Sequence, residues 1–440
     1  MNRRDTALRY FDENRDFMDS YVKAQIEQNR KGTVKVSVKD KDGKPVSGAK
    51  IKIKQKNHEF RYGANIFMLD ELETSEKNHT YKECFKDAFN EATVPIYWSD
   101  LEPVEGAPRF DKDSPKIYRR PALDLCLEYC EKHDITPKAH CLTYFNFQPD
   151  WVDATDISDM KRKLEKRYAE LAERYSDKIN GWEVINELFC TQNPWNKNPF
   201  FRSDEVLDWN FKLAEKYFPC NELIINEASQ VWQTHHFAYS RSGYYLMIKE
   251  AIQKGLRIDS VGMQFHMFAD RGGEKARVHD MYNPKWLFEV MDAYEKLGRP
   301  LQVTEITIPA YSDSAEDEQI QADLIENLYS IWFSHKAMEA IIYWNLTDGY
   351  AAFAPQGDMT KGENWFRGGL LRFDMSRKPA YEIIKHLFTE RWITNTEAET
   401  DGNGTAKFKG FYGDYEISIG GKKYDLKLKR DIENEIEIEM

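Results

Sequence analysis

The chain has 440 residues, of which 41% are hydrophobic and 31% are charged, so it can bury a large core and is not a disordered segment. Its 62 Lys and Arg residues against 74 Asp and Glu residues give a net charge of −12, which argues against nucleic acid as the main partner and leaves neutral ligands open. Aromatic residues make up 14% of the chain, enough to fill a core and also to line a groove.

Cysteine spacing and hydropathy exclude further classes. The six cysteines form no CxxC pair, so we expect no structural zinc site and mostly reduced, buried thiols. No apolar run approaches about 18–20 residues, so no membrane span is expected. The polar start lacks the apolar stretch of a signal peptide. The cellular location therefore stays open between a cytoplasmic protein and a secreted, periplasmic or cell-surface one from which a leader was removed. The cysteines are Cys84, Cys126, Cys130, Cys141, Cys190 and Cys220.

The two ends of the chain differ from its middle. Residues 1–30 have apolar residues at helical spacing and predict a leading helical segment. Residues 31–59 alternate in two runs and predict an N-terminal β segment. Beyond the helical pattern, residues 391–440 predict a C-terminal β segment, with strands at 406–408, 414–419 and 423–428. We expect the two β segments to pair into one small β-rich accessory region.

Residues 60–390 alternate between short apolar runs and longer amphipathic segments. Eight strand candidates separated by helices are typical of a parallel α/β fold, and the number eight favours a closed (β/α)8 TIM barrel. Numbered in chain order, the eight runs are 62–67, 92–98, 136–143, 181–185, 223–225, 260–264, 301–304 and 340–344.

Two glutamates lie just after the ends of two predicted apolar strands. Glu187 lies two residues after the fourth run, and Glu305 directly follows the seventh. Functional groups of such barrels lie at the carboxyl ends of the strands, so both carboxyl groups are expected over the barrel axis. One protonated and one ionised carboxyl suit glycoside hydrolysis, as general acid and as nucleophile. The alternative is that each glutamate pairs with an Arg or Lys at the rim.

Other strand ends add polar and aromatic side chains. Two histidines near several carboxylates leave a metal-dependent hydrolase open, although no HxH or HExxH spacing occurs. We expect neither a metal nor a cofactor, and the chain has no GxxxxGK[ST] or GxGxxG phosphate loop. In strand order, these residues are Tyr97 and Trp98, His140 and Tyr144, Asn226 and Glu227, Gln264 and His266, and Trp344 with Asn345.

Several short motifs together resemble the family-10 glycoside hydrolases, which are retaining enzymes best known as endo-1,4-β-xylanases. The resemblance covers about residues 60–390. Its motifs are WEVINE at 182–187, GMQFH at 262–266, VTEI at 303–306, AHCL at 139–142, YW at 343–344 and LLRFDMSRKPAY at 370–381.

The resemblance implies roles for the residues at the strand ends. Glu187 would be the general acid/base and Glu305 the nucleophile, with their carboxyl groups about 5–5.5 Å apart, as retention requires. The partner would be a β-linked polysaccharide or oligosaccharide. In the binding roles, Asn186 would bond the 2-hydroxyl, Gln264 and His266 would orient Glu305, His140 would bind a sugar hydroxyl, Trp344 would wall its subsite, and Tyr97, Trp98 and Tyr144 would line the groove.

Three departures from the family pattern concern recognition more than chemistry. Tyr97 stands where the family has a Lys, and Phe145 where it has a His. Thr307 replaces an Asp that partners the strand-six histidine, which leaves the protonation of His266 open. The β-glycan cleaved, endo or exo action, a non-catalytic glycan-binding role and the oligomeric state all stay open. Tyr350 and Trp365, in a long loop after the eighth strand, are further candidates for stacking on sugar.

Overall fold

The computed structural model describes residues 2–153, 155–189, 198–233 and 240–440. Its centre is a closed barrel of eight parallel strands, each paired with its neighbours in chain order and the eighth with the first. This confirms the predicted (β/α)8 barrel. Barrel strands 1–8 are Arg61–Asn65, Glu91–Pro95, Thr136–His140, Gly181–Asn186, Glu222–Glu227, Ser260–Met263, Leu301–Val303 and Met338–Tyr343.

Helices follow the barrel strands and cover the outside of the barrel. Every residue of barrel strands 2 and 4 is buried, as expected for strands packed on both faces. A short parallel pair, Phe265–His266 and Ile306–Thr307, extends barrel strands 6 and 7. The α-helices from residue 75 onward are Ser75–Ala88, Trp98–Leu101, Leu123–Lys132, Ile157–Tyr175, Val206–Tyr217, Gly243–Gln253, Arg271–Tyr282, Pro284–Glu295, Ala315–Ser334 and Pro379–His386. Short 3-10 turns are Phe145–Phe147, Ser229–Trp232 and Gly362–Phe366, and a π-helical turn spans Leu387–Arg391.

The helix Ile157–Tyr175 shows how sequence specifies one of these elements. Asp156 caps it, because its side chain accepts a hydrogen bond from the Asp159 backbone N–H at 3.0 Å. Its buried positions recur every three or four residues and face the barrel. Truncating the fully buried Leu164 to Ala therefore costs about 2–5 kcal/mol.

The terminal β segments pair with each other, as expected, and form two sheets. Strand Lys31–Lys39 lies between Thr405–Phe411 and Asn434–Glu439. The second sheet has the antiparallel order Asn395–Glu399, Lys50–His58, Gly413–Ile419, Lys422–Leu428. Strands 395–399 and 434–439 were not predicted, because both are rich in Glu and mostly exposed. The residues that alternate inward from both sheets form a separate apolar core. The exact domain divisions at residues 30, 59 and 390 stay a prediction.

The leading segment consists of several short helical pieces where one helix was expected: Arg3–Ala7, Arg9–Glu13, the π-helical Phe17–Val22 and Lys23–Asn29. Arg3 fastens its start to the barrel through ion pairs with Glu274 and Asp317, each at 3.0 Å. At its end the buried Arg30 donates to the backbone carbonyls of Phe333, His335 and Met338. These contacts hold the segment against the barrel.

The cysteines follow the expectation with one exception. Cys84, Cys126, Cys130 and Cys141 are free and buried, but Cys220 is exposed, because it lies in the turn before barrel strand 5. Cys190 lies outside the described residues. Within the described ranges, no helix combines the length and the apolar character needed to cross a membrane.

Candidate active site

A cavity of about 660 Å³ opens where the barrel strands end. Because all barrel strands run parallel, their carboxyl ends converge on this single mouth. The cavity collects nine of the ten predicted site residues: Tyr97, His140, Tyr144, Asn186, Glu187, Gln264, His266, Glu305 and Trp344.

The two predicted catalytic carboxyl groups share one hydrogen-bond donor. The Gln264 side-chain amide lies 3.0 Å from Oε1 of Glu187 and 3.0 Å from Oε1 of Glu305. These two distances limit the separation of the oxygens to 6.0 Å, and it is about 5 Å if each N–H of the amide points at one of them. The rim pairing considered as an alternative does not occur, since in the described part of the chain neither carboxylate forms an ion pair with Arg or Lys.

Glu305 is buried and surrounded by donors. Besides Gln264, the Asn226 amide lies 3.1 Å from Oε1, and Nε2 of His266 lies 3.2 Å from Oε2. Burial raises the pKa of Glu305 to about 8, with the nearby Glu187 acting in the same direction. The three N–H groups act in the opposite direction, because they stabilise the ionised carboxylate.

His266 bridges Glu305 and Thr307. Burial lowers the pKa of His266 to about 4, so the ring is neutral at neutral pH. A neutral ring whose Nε2–H donates to Glu305 has a bare Nδ1, and the Thr307 hydroxyl lies 2.9 Å from that atom. Thr307 therefore fits a neutral His266, because its hydroxyl can donate to Nδ1 without supplying a negative charge.

A hydrogen bond from a tyrosine and an unusual backbone conformation determine the position of Glu187. Oη of Tyr144 donates to Oε2 of Glu187 at 2.5 Å. The backbone φ of Glu187 is +53°, a conformation that costs energy for a residue with a side chain. The next turn is fixed by Glu227, which accepts the backbone N–H groups of Phe189 and Ala228 at 2.9 Å. Burial raises the pKa of Glu227 to about 7.

A buried charged triad lies beneath the cavity. Glu183 on barrel strand 4 accepts from Lys138 at 2.5 Å and contacts Nδ1 of His140, both on barrel strand 3. Burial acts to raise the pKa of Glu183, but Lys138 and His140 hold it at about 2. Burial acts to lower the pKa of His140, but the neighbouring Glu183 outweighs burial and raises it. Sequence reasoning identified His140 alone, although residues 138, 140 and 183 all belong to predicted strands.

Two groups among the described residues have ligand atoms within 4.8 Å of one another, and Asp292, Glu295 and His335 form one of them. At the cavity, the ligand atoms of His140, Glu183 and Glu305 form the other. The Lys138 ammonium already occupies one oxygen of Glu183, so a metal ion there would meet a neighbouring positive charge. The donor set therefore does not suit a metal, and the expectation of a metal-free site stays a prediction.

Aromatic rings form the wall beside barrel strands 1–3. Tyr97 stacks on Phe147 with the ring centres 4.0 Å apart, and Phe67 meets Trp344 edge to face at 5.4 Å. Sequence reasoning missed Phe67, although it ends the first predicted strand, and Phe147, which lies in the 3-10 turn after barrel strand 3. It also missed lining residues that loops, 3-10 turns and one helix supply: Arg119, Arg120, Gln230, Gln233, Arg277, Phe353, Glu363 and Phe366.

Trp98 was expected in the groove but lies in the core. It begins the short helix Trp98–Leu101, which turns its side chain away from the cavity. The ring packs edge to face on Trp151 at 5.5 Å, and its Nε1–H donates to Glu102 at 3.2 Å. Glu102 also accepts the backbone N–H of Gly106, so its carboxylate holds the local structure.

The remaining aromatic candidates also lie outside the cavity lining. Tyr350 is buried and donates to Glu73, Trp365 packs against Tyr311 and Phe366, and Phe145 packs against Tyr144 and Phe201. In the loop that carries Tyr350 and Trp365, Phe353 and Phe366 line the cavity instead.

Comparisons with known protein sequences show the family of the chain. A family model described as "Glycosyl hydrolase family 10" matches residues 55–386. The chain is 24% identical to the Anti-sigma-I factor RsgI6 of Acetivibrio thermocellus over 92% of its own length and 48% of that protein. It is 23% identical to Endo-1,4-beta-xylanase 2 of Arabidopsis thaliana over 94% of its own length and 34% of that protein. The chain thus spans about half and about a third of the length of these relatives.

Solved structures show the same architecture. Native xylanase 10B from Thermotoga maritima superposes with a TM-score of 0.58 at 20% identity and covers 76% of this chain and 96% of its own. Xylanase B from Clostridium stercorarium F9 gives a TM-score of 0.56 at 19% identity, over 74% and 96% of the two chains. At these identities the likeness establishes the barrel fold.

Proposed function

Because the chain belongs to glycosyl hydrolase family 10, we propose that it hydrolyses a β-linked polysaccharide or oligosaccharide with retention of configuration, using Glu187 and Glu305. The observation that supports the proposal is the Gln264 amide shared by both carboxyl groups, since two contacts of 3.0 Å keep their oxygens within 6.0 Å of each other. Retaining enzymes need a separation of about 5–5.5 Å, whereas inverting enzymes leave room for a water.

In the first step, an ionised oxygen of Glu305 attacks the anomeric carbon while the glycosidic C–O bond breaks. The proton of Glu187 goes to the leaving oxygen, so no alkoxide is released. Three N–H groups contact Glu305, against one amide N–H and one hydroxyl on Glu187. These three donors stabilise the ionised carboxylate of Glu305 and oppose the burial that raises its pKa.

In the second step, water replaces the enzyme on the sugar. Glu187, now ionised, takes a proton from the water, whose oxygen bonds to the anomeric carbon as the bond to Glu305 breaks. Asn186 lies between the two catalytic residues, where its side-chain oxygen accepts from Asn226 at 2.8 Å. This leaves its amide N–H groups for the 2-hydroxyl of the sugar.

The substrate is best identified by a direct screen. Xylan is the first glycan to test, because the family includes xylanases and several relatives carry that name. Aryl β-glycosides and defined β-linked oligosaccharides are incubated with the protein, and the products are sized to separate internal from terminal cleavage. We expect cleavage of at least one β-linked substrate. Measurable glycan binding without cleavage of any member of the set would instead support a non-catalytic glycan-binding barrel.

A further inference from the structure

Two adjacent arginines, Arg119 and Arg120, line the cavity from the loop after barrel strand 2, and we call them the arginine pair. The Arg120 guanidinium lies 4.2 Å from the centre of the Tyr97 ring. Tyr97 stands where the family pattern has a lysine. A positive charge is therefore present at this wall, but it comes from a different element and as a planar guanidinium instead of an ammonium.

Arg119 is only 5% exposed, yet its charge has no direct counter-ion. Its Nη1 donates to Oδ1 of Asn345 at 3.1 Å and to the Tyr350 carbonyl, while its Nε is buried without a hydrogen-bond partner. Across the described residues, no carboxylate oxygen lies within 4.0 Å of its guanidinium. Glu363 is held apart from it by Asn345, whose Nδ2 donates to Glu363 at 3.4 Å.

Arg120 is partly neutralised but keeps donors free. Its Nε pairs with Asp100 at 2.7 Å, and its Nη1 donates to the Arg119 carbonyl at 2.9 Å. Its Nη2 has no hydrogen-bond partner among the residues that the structure describes. Of the two guanidinium groups at this wall, only that of Arg120 forms an ion pair with a carboxylate among the described residues. The wall therefore carries excess positive charge at a place that is partly shielded from water. Leaving such charge unpaired is costly, and an incoming anion relieves that cost.

We propose that the arginine pair binds a carboxylate of the substrate, so that the preferred glycan is, or carries, a uronic acid on the side of the cleaved bond held by Tyr97 and His140. This rests on the proposed function. The guanidinium fork matches the two oxygens of a carboxylate. Away from this wall the cavity presents Glu187 and Glu305, which repel a second anion. The uronate therefore fixes the position of the chain in the cavity as well as adding affinity.

The test uses a matched pair of substrates: a β-linked oligosaccharide bearing one uronic acid, and the same oligosaccharide with its carboxyl group reduced to a hydroxymethyl group. We measure kcat/KM for both, and binding of both to the Glu305→Gln variant by calorimetry. Since charge-assisted hydrogen bonds contribute about 1.5–3 kcal/mol, we expect the wild type to prefer the acidic form by roughly tenfold or more. We expect Arg120→Gln to abolish most of that preference and Arg120→Lys to retain part of it.

Arg277→Gln is the matched control, because Arg277 lines the cavity from the helix Arg271–Tyr282 but is exposed and therefore screened by solvent. It is expected to change the preference less than twofold. Equal kcat/KM and equal binding for the two substrates would overturn the inference, as would an equal loss on both substrates in Arg120→Gln. The wild-type comparison stands even if a variant fails to fold. Cleavage of neutral glycans without any preference would refute only this inference, whereas preferential binding of the acidic form without cleavage of any glycan would refute only the proposed function.

Discussion

The cavity has two regions that the chain builds in different ways. At its centre, Glu187, Gln264 and Glu305 stand at the ends of barrel strands, and their separations are set by the parallel pairing of those strands. At the wall beside barrel strands 1–3, a long loop supplies Arg119 and Arg120 to a surface of aromatic rings. Under the proposed function, the centre supplies the two carboxyl groups that the chemistry needs, while the wall supplies recognition. Chemistry and recognition would then be carried by separate elements of one barrel.

The largest expected effect is at the centre. Glu305→Gln and Glu187→Gln each remove one partner of the acid and nucleophile pair, so we expect kcat/KM on an oligosaccharide to fall by roughly 10³-fold or more. The measurement is initial-rate kinetics, with circular dichroism to verify the fold. Glu397→Gln, on an exposed position of the accessory sheet, is the matched control and should retain full activity. Full activity in either catalytic variant would disprove the assignment.

The second-largest effect is expected at Gln264, the hydrogen-bond donor that the two carboxyl groups share. Gln264→Ala removes the amide that contacts both carboxyl groups, and a hydrogen bond to a charged group contributes about 1.5–3 kcal/mol. We therefore expect kcat/KM to fall roughly 10- to 100-fold, mostly through kcat. Gln230→Ala, which changes another glutamine of the cavity lining, should have a much smaller effect. Equal losses in the two variants would mean that Gln264 has no special role between the carboxylates.

The adjacent residues Trp98 and Tyr97 allow the core and the cavity wall to be compared by their effects on stability. Trp98→Ala should lower the free energy of unfolding by about 3–5 kcal/mol, because its ring is buried away from the cavity. Tyr97→Phe should leave that free energy within about 1 kcal/mol of the wild type, because no hydrogen bond of its hydroxyl holds the fold. Denaturant unfolding measures both. A small loss in Trp98→Ala would show that Trp98 is not a core residue.

The pH dependence gives a smaller, directional test. Ionised Glu305 is required for attack, and burial raises its pKa to about 8. The acidic limb of kcat/KM, which reports the free enzyme, should therefore lie well above the usual pKa of a glutamate near 4.3, with activity rising as pH increases through that limb. A limb near 4.3 would show that the three N–H donors outweigh burial.

The variant Thr307→Asp tests the same pH dependence, and we expect it to change kcat/KM by a few-fold. A carboxylate beside Nδ1 should raise the pKa of His266 from about 4, because it stabilises the imidazolium. The charged ring would then favour ionised Glu305 and move the acidic limb of kcat/KM to lower pH. Thr307→Asn, a polar residue of the same size without the charge, should leave the limb in place. A shift in the opposite direction would contradict the hydrogen-bond assignment.

The centre was predictable from sequence, and the wall was not. Strand ends carry their chemistry at fixed positions, so apolar runs ending in Asn186-Glu187 or Thr304-Glu305 indicate both the fold and the site. The arginine pair lies in a loop without periodicity, and its approach to Tyr97 depends on tertiary packing that no short motif encodes. The prediction that Trp98 lines the groove was wrong for a related reason. A helix begins at Trp98, and it turns the side chain away from the direction that a continuing strand would have given it.

The most direct test of retaining hydrolysis by Glu187 and Glu305 is the anomeric configuration of the first product, followed by proton NMR immediately after adding enzyme to a β-linked oligosaccharide. Two carboxyl groups with oxygens within 6.0 Å of each other predict that the β-anomer appears first and then mutarotates. Initial appearance of the α-anomer would contradict the double-displacement mechanism and the role of Glu305 as nucleophile.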